Sequence, residues 1–150
     1  MKKQLCTFYL DGLFMGVDVA DVQEVIRYQE KTVVPRAPRE IVGLMNLRGQ
    51  IVAAIDLRRR LELSPRAPER KAMNVVVKTD DGPIALLVDE IADVVEASED
   101  CLEPVPETIR GTARRLVSGV YKLEPRLLLV LDTARTVAIT GDPTLTGAEE

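Results

Sequence analysis

The sequence predicts a mostly β protein made of two similar lobes, each a small barrel of short strands with an occasional short helix. Two observations favour this fold class. Short apolar runs alternate with tight turns along most of the chain, and one hairpin pattern occurs twice without a gap, at residues 43–56 and 119–132. Repetition of this kind indicates duplicated structure. We therefore expect one domain over residues 1–140, with lobe 1 roughly at 1–70 and lobe 2 roughly at 71–139.

Composition and charge exclude several classes of protein. The 150 residues are 46% hydrophobic, which is enough for a core, and the net charge of −4 argues against a nucleic-acid binder. No apolar run is long enough to cross a bilayer, so direct membrane insertion is not expected. The chain has no histidine and only two isolated cysteines, Cys6 and Cys101, so neither a metal nor another cofactor is predicted. We expect a cytoplasmic protein with Cys6 in its core.

Four hairpins account for most of the predicted strands. Asp-Gly turns at residues 11–12 and 81–82 and an Arg-Gly turn at 48–49 are strong hairpin signals. Residues 32–34 read as a further short strand, and residues 91–95 fit either a strand or a short helix. The hairpin strands are expected at residues 5–10 and 13–19, 41–47 and 51–55, 73–78 and 84–88, and 116–123 and 127–131.

Short helices are predicted at residues 20–27, 56–63 and 132–139. In the first, Val19, Val22 and Ile26 recur with helical spacing. Residues 98–112 read as a long loop, and residues 140–150 as a disordered tail. Aspartates follow four apolar runs, where capping of a helix is a better explanation than catalysis: Asp18, Asp56, Asp89 and Asp132.

The two copies of the repeated hairpin differ at their turns. The first copy has Asn46-Leu47-Arg48-Gly49 where the second has Lys122-Leu123-Glu124-Pro125, so the fold does not require the first turn sequence. One interpretation is that Gly49 supplies a positive φ and Arg48 is simply solvated. The other is that Arg48 is functional.

Basic side chains are concentrated after the first copy of the hairpin. Arg58, Arg59 and Arg60, together with the basic residues of 65–71, could contact phosphate or form a solvated face. The solvated face is favoured, because the chain has few aromatic residues that would stack on bases. With no catalytic residues indicated, the alternative is binding: a groove between barrels and open sheet edges suit a docked helix or strand.

Four segments together resemble the CheW family of chemotaxis adaptors. They are FYLDGLFMGVDVADVQEVI, VVPRAPREIVGLMNLRGQIVAAIDLR, IALLVDEIADVV and LVSGVYKLEPRLLLVLD, and their central pattern P-x-x-I-x-G-x-x-N-L-R-G-x-I runs from Pro38 to Ile51. The resemblance covers residues 5–137. It implies two SH3-like five-stranded β-barrels and a non-catalytic protein that joins a CheA-type histidine kinase to the cytoplasmic tips of chemoreceptors, recruited to membrane receptor arrays.

The resemblance also implies two sets of binding residues. The receptor tip would dock in the groove between barrels with help from the NLRG turn and the short helix after the second strand, at Val22, Glu24, Asn46 and Arg48. Arg48 would either pair with a carboxylate such as Glu24 or contact the receptor directly. The regulatory domain of the kinase would pair barrel to barrel at Ile41, Val42 and Ile51, although these could instead be core residues.

Two other functions stay open at this point. The chain could be a specialised CheW-like scaffold that binds only the kinase or only the receptor, in a pathway other than motility. It could also be a small enzyme whose site has no recognisable motif.

Overall fold

The computed structural model describes residues 2–123 and 125–139. The tail predicted at residues 140–150 and the turn residue Glu124 lie outside the described residues. The strands are β1 (Lys2–Leu10), β2 (Leu13–Asp18), β3 (Val22–Ile26), β4 (Ile41–Leu47), β5 (Gln50–Asp56), β6 (Met73–Thr79), β7 (Gly82–Val88), β8 (Glu90–Ser98), β9 (Leu102–Glu103), β10 (Val117–Leu123) and β11 (Arg126–Leu131). The α-helices are short: α1 (Leu57–Arg60), α2 (Gly111–Leu116) and α3 (Thr133–Val137).

The strands form two sheets, which confirms the predicted mostly β class. The first sheet has the order β8-β1-β2-β11-β10-β9, and the second has the order β3-β6-β7-β5-β4. Neighbouring strands are antiparallel except at two places, where β11 runs parallel to β2 and β5 runs parallel to β7. The four predicted hairpins are all present, because their turn residues act locally and specify the adjacent strand pair.

Each sheet combines strands from both halves of the chain. β3 follows the β1–β2 hairpin but pairs with β6, and β8 follows the β6–β7 hairpin but pairs with β1. The lobe boundary predicted near residue 70 is therefore wrong. The second sheet, from β3 to β7, is inserted between two strands of the first. Apolar alternation shows which face of a strand is buried, but it carries no information on which sheet edge the strand will join.

The duplicated sequence pattern corresponds to duplicated structure. The β4–β5 and β10–β11 hairpins each lie beside the other hairpin of their sheet through the parallel contact. Each has a register irregularity just before its glycine, Gly43 or Gly119. Each is followed by a helix whose N-cap is an aspartate, Asp56 or Asp132. The two hairpins thus hold equivalent places in the two sheets.

Three apolar clusters form the core. The first lies between the sheets, because it takes Phe8 and Leu129 from one sheet and Val75 and Leu86 from the other. The second cluster, which includes Met45 and Val52, belongs to the second sheet, and the third belongs to the first sheet. Cys6 is buried in the first cluster, as expected, and burial raises the pKa of its thiol.

One predicted helix is wrong. Over residues 20–27 the chain makes only a 3-10 turn at Val19–Asp21, capped by Asp18, and then enters β3. The β-branched side chains of Val22, Val25 and Ile26 suit an edge strand as well as a helix, and pairing with β6 decides in favour of the strand.

The other local expectations have mixed outcomes. Helices do begin after Asp56 and Asp132, although they are shorter than predicted. Residues 91–95 belong to β8, and residues 32–34 contribute only a single bridge between Thr32 and Leu44. The predicted loop at 98–112 contains a 3-10 turn and β9, and α2 begins at its end. No helix among the described residues is long and apolar enough to cross a membrane.

Candidate functional site

The β4–β5 hairpin ends in a two-residue turn with an unusual backbone. Arg48 has a φ of 54° and Gly49 a φ of 86°, which are the two positive values that a type I′ hairpin requires. The Asn46 side-chain Oδ1 accepts a hydrogen bond of 2.8 Å from the Gly49 backbone N–H. The expected positive φ at Gly49 is confirmed. Arg48 occupies a left-handed position that favours asparagine or glycine.

Arg48 also makes an ion pair with Glu24. Its Nη1 lies 2.5 Å from Glu24 Oε2, and the side chain of Arg48 is 71% exposed whereas that of Glu24 is 19% exposed. The hydrogen bond from Arg48 lowers the pKa of Glu24 and raises the pKa of Arg48. Of the two roles considered for Arg48, pairing with Glu24 is therefore present in the structure.

This ion pair joins distant parts of the second sheet. Glu24 lies on β3 at one edge of the sheet, and Arg48 lies at the tip of the hairpin that forms the other edge. The contact requires the sheet to curl until its edges approach, so the hairpin closes over the second core cluster. We refer to Glu24, Asn46, Arg48 and Ile51 as the tip surface.

The other predicted binding residues divide between surface and core. Ile51 is 61% exposed and pairs directly with Asn46 across the hairpin, so the two side chains share a face. Ile41 and Val22 are half-buried against the first core cluster, and Val42 is half-buried against the second. The structure thus places a predicted kinase-binding residue, Ile51, beside a predicted receptor-binding residue, Asn46.

A groove with a volume of about 610 Å³ lies between the two sheets. Its floor is apolar and includes Ile84 and Val130, and among the described residues none of the seven predicted binding residues lines it. Its rim is mainly acidic, with two lysines, Lys3 and Lys78, and these carboxylates: Asp18, Asp21, Asp80, Asp81 and Asp132. The inter-sheet groove and the tip surface are therefore separate features.

A buried ionic cluster beside α1 was not predicted from the sequence. Arg58, expected on the outer face of the helix, is buried, and its Nε and Nη2 donate to the two carboxylate oxygens of Asp89 at 3.0 and 2.5 Å. Arg66 Nε donates to Asp89 Oδ1 at 2.9 Å, and the backbone N–H of Asp11 donates to Asp89 Oδ2 at 2.7 Å. No pattern in the sequence links these residues, since they are brought together only by the fold.

This cluster corrects one of the capping assignments. Asp18, Asp56 and Asp132 accept backbone hydrogen bonds at helix starts, as predicted, but Asp89 serves as the counter-ion of Arg58 and Arg66. Burial by itself raises the pKa of Asp89. The hydrogen bonds from Arg58, Asp11 and Arg66 outweigh that effect and lower the pKa from 3.8 to about 2.

The prominent features of the described residues are surfaces and buried ion pairs. Among residues 2–123 and 125–139, no three His, Cys, Asp or Glu side chains converge where they could bind one metal ion. The features that stand out are an exposed hairpin tip, an inter-sheet groove and buried ion pairs that hold connections in place. Grooves and exposed hairpins of small β folds are typical sites of protein recognition.

Comparison with known proteins agrees with the fold. The family model of the CheW-like domain matches residues 4–140 of the sequence. The chemotaxis protein CheW of Treponema pallidum is 29% identical over 133 residues, which are 86% of this chain and 78% of that protein. The Bacillus subtilis chemotaxis protein CheW is 28% identical over 130 residues, covering 87% of this chain and 83% of its own length.

A solved structure gives the same result. The crystal structure of the scaffolding protein TtCheW from Thermoanaerobacter tengcongensis superposes with a TM-score of 0.82 at 28% identity, covering 95% of this chain and 97% of the other. The two proteins therefore share a two-sheet β fold. The chain belongs to the CheW-like family.

Proposed function

We propose that this chain is a non-catalytic adaptor that couples a CheA-type histidine kinase to the cytoplasmic tips of chemoreceptors. The observation that carries the proposal is the tip surface, where an arginine in a left-handed conformation is held by Glu24 beside the exposed Ile51. A strained, exposed charge next to an exposed apolar side chain contributes little to stability, but such pairs recur in protein interfaces.

The receptor-binding part of the proposal involves Val22, Glu24, Asn46 and Arg48. Glu24 and Asn46 support Arg48, one through its carboxylate and the other through the turn hydrogen bond. Arg48 keeps most of its side chain in solvent, where its guanidinium can donate to a partner. Val22 lies at the start of β3 and packs on the first core cluster, so its contribution is to position β3.

The kinase-binding part involves Ile41, Val42 and Ile51. Ile51 supplies the exposed apolar contact. Ile41 packs on the first core cluster and Val42 on the second, so both hold the same hairpin in place. We propose that the regulatory domain of the kinase, itself CheW-like, packs a barrel against this hairpin. The complex would then lie on the cytoplasmic side of receptor arrays, without a cofactor or direct membrane insertion.

One observation favours a more specialised scaffold as the second candidate. Asn46 and Ile51 are paired residues on one face, so a kinase domain seated on Ile51 would lie beside Asn46, a proposed receptor-binding residue. If the two partners compete for the tip surface, the chain would serve only the kinase or only the receptor at one time.

A pull-down separates these functions. The full chain is tested against the regulatory domain of a CheA-type kinase and, separately, against a chemoreceptor cytoplasmic fragment. Retention of both partners, separately and together from a mixture, supports the adaptor. Retention of only one partner, in the separate tests or from the mixture, supports the specialised scaffold. If neither is retained at concentrations where the chain is folded, both proposals are wrong and the family likeness extends to the fold alone.

A further inference from the structure

A small basic cavity lies beside the buried ionic cluster. Its volume is about 310 Å³, and it is enclosed by α1 and by the connections before β4 and before β6. Apolar atoms of Leu63, Pro65, Ala67 and Pro68 form part of its wall. The remaining lining consists of four guanidinium groups and one carboxylate: Arg39, Arg59, Arg66, Arg70 and Asp56.

Two of these arginines are held close together by reciprocal backbone bonds. Arg59 Nη1 donates to the Arg39 carbonyl at 2.9 Å, and Arg39 Nη1 donates to the Arg59 carbonyl at 3.3 Å. The nearest carboxylate oxygen to Arg59 Nε belongs to Asp56 and is 3.7 Å away. Two like charges are therefore brought together beside one carboxylate, Asp56, which Arg66 Nη1 also approaches at 3.6 Å. This excess of positive charge favours binding of an anion between the two arginines.

The third arginine has hydrogen-bonding capacity left over. The side chain of Arg66 is only 10% exposed, and its Nη2 atom is buried without a hydrogen-bond partner among the described residues, although it lies 2.9 Å from Asp89 Oδ1 as an ion pair. Asp89 already accepts from Arg58 and from Asp11. Buried donors normally find an acceptor, so Nη2 is a donor of Arg66 that the described residues leave without a hydrogen bond.

The charge of this region is local. Residues 36–71 contain nine Lys and Arg against four Asp and Glu, although the whole chain carries a net charge of −4. The sequence suggested that these basic residues either contact phosphate or are simply solvated. The cavity favours phosphate contact over simple solvation, because four of these arginines line the same cavity.

We propose that this cavity binds a phosphate group, with Arg39 and Arg59 as the main ligands and Arg66 as the inner one. A guanidinium donates two parallel N–H bonds to a phosphate, and a dianion has enough oxygens to serve several guanidinium groups at once. The phosphate is either free or carried on a phosphorylated side chain. The proposal is independent of the adaptor function, since none of these residues belongs to the tip surface.

The test is an NMR titration of the full chain at constant ionic strength, following the arginine Nε–Hε signals. The probes are inorganic phosphate, a short phosphoserine peptide and the same peptide without phosphate. We expect saturable shifts centred on Arg39, Arg59 and Arg66 with at least one phosphate probe, and none with the unphosphorylated peptide. The tighter of the two phosphate probes identifies the source of the group.

Matched variants make the assignment specific. Arg39→Gln with Arg59→Gln should weaken phosphate binding by at least about tenfold, because two bidentate contacts are lost. Arg27→Gln with Arg110→Gln removes the same charge from exposed positions outside the cavity and should leave the affinity within about twofold. Arg39→Lys with Arg59→Lys keeps the charge and should give an intermediate affinity.

Several outcomes would overturn the site. They are shifts that rise linearly without saturation, equal affinities in the cavity and control variants, and shifts centred on other arginines. A thermal melt of each variant shows that the comparison is made between folded proteins. If the glutamine variant does not fold, the lysine variant alone must still bind more weakly than the control.

Discussion

Arg48 has a conformation and a partner that a solvated turn residue does not need. Asparagine would suit its left-handed backbone better, and Asn-Gly is the preferred type I′ sequence. The Arg48 side of the ion pair with Glu24 is mostly exposed, and pairs at the surface contribute little to stability. A residue that costs conformational energy and returns little stability is best explained by binding.

Arg48→Asn should therefore separate stability from binding. We expect the melting temperature to change by no more than about 3 °C, because asparagine relieves the backbone strain at position 48 and this offsets the lost ion pair. Affinity for a chemoreceptor cytoplasmic fragment should fall by at least about tenfold. Calorimetry and titration of the same samples check both parts. An unchanged receptor affinity would remove Arg48 from the site.

The role of Glu24 follows from a double-mutant cycle on receptor affinity. If Glu24 acts by holding Arg48, the Glu24→Gln and Arg48→Lys effects should be strongly non-additive. Simple addition of the two effects would mean that each side chain contacts the receptor on its own.

Asp89 gives the protein a component of stability that depends on pH. Its pKa is about 2 in the folded chain against an ordinary value of 3.8, so the unfolded chain takes up the proton first as the pH falls. This contribution is fully present above about pH 4 and is lost between about pH 4 and 2, and its size is roughly 2 kcal/mol.

Asp89→Asn should remove that component. At neutral pH the variant should lose about 3–5 kcal/mol, because Arg58 is left buried without its main counter-ion. The free energy of unfolding, measured against pH by urea titration, should then fall less steeply below pH 4 than in the native chain. Parallel curves for the two proteins would contradict the assignment.

At the scale of the element, the β4–β5 hairpin has one side in the core and one in solvent. Val42 packs on the second core cluster, whereas Ile51 is 61% exposed. Val42→Glu should destabilise the fold by several kcal/mol, since it would place an unpaired charge against the core.

Ile51→Glu should leave the melting temperature almost unchanged and weaken binding to the kinase regulatory domain.

The control for Ile51 is a residue of equal exposure elsewhere. Val94 on β8 is 60% exposed, so Val94→Glu makes the same chemical change at a comparable site. Kinase affinities that fall equally in both variants would show a general effect of charge, and a normal affinity in Ile51→Glu would exclude the hairpin from the kinase interface.

Elements defined by local chemistry were predictable, and those defined by partners were not. The Asp11-Gly12 and Arg48-Gly49 turns specify their hairpins through backbone conformation alone. Val22–Ile26 has a pattern compatible with helix or strand, and only the neighbouring edge of β6 decides. Arg58 looked solvated because Asp89, its counter-ion, is 31 residues away in the chain.

At the scale of the molecule, the insertion of the second sheet between β2 and β8 of the first ties the two halves of the chain together. Each sheet contains at least two strands from each half, and the first core cluster draws on both sheets. The two halves cannot bury their apolar faces separately, so neither is expected to fold alone.

Fragments test whether each half depends on the other. Residues 1–71 and 72–150, prepared separately, should each give a disordered far-UV circular dichroism spectrum without a cooperative melt. Mixed in equal amounts, they should recover a β spectrum and one transition. A cooperative melt of either fragment alone would show that the two halves of the chain are less dependent on each other than the strand order indicates.

The duplication visible in the sequence correctly indicated two equivalent hairpins, because gapless alignment of residues 43–56 with 119–132 reflects equivalent strand pairs. It could not indicate how the copies connect.

The tip surface was partly predictable from the sequence. The turn that differs between the copies singled out Arg48, and pairing with Glu24 was one of its two expected roles. The direct pairing of Asn46 with Ile51 depends on hairpin register, and it places the two proposed interfaces side by side.

The central claim, that one chain couples two partners, is tested by a bridging assay. A chemoreceptor cytoplasmic fragment is fixed to beads, a CheA-type kinase is held at constant concentration, and the kinase retained is measured as this protein is added. A bivalent adaptor predicts retention that rises and then falls, because excess adaptor saturates each partner separately. Retention that never rises above the level without this protein would contradict the account.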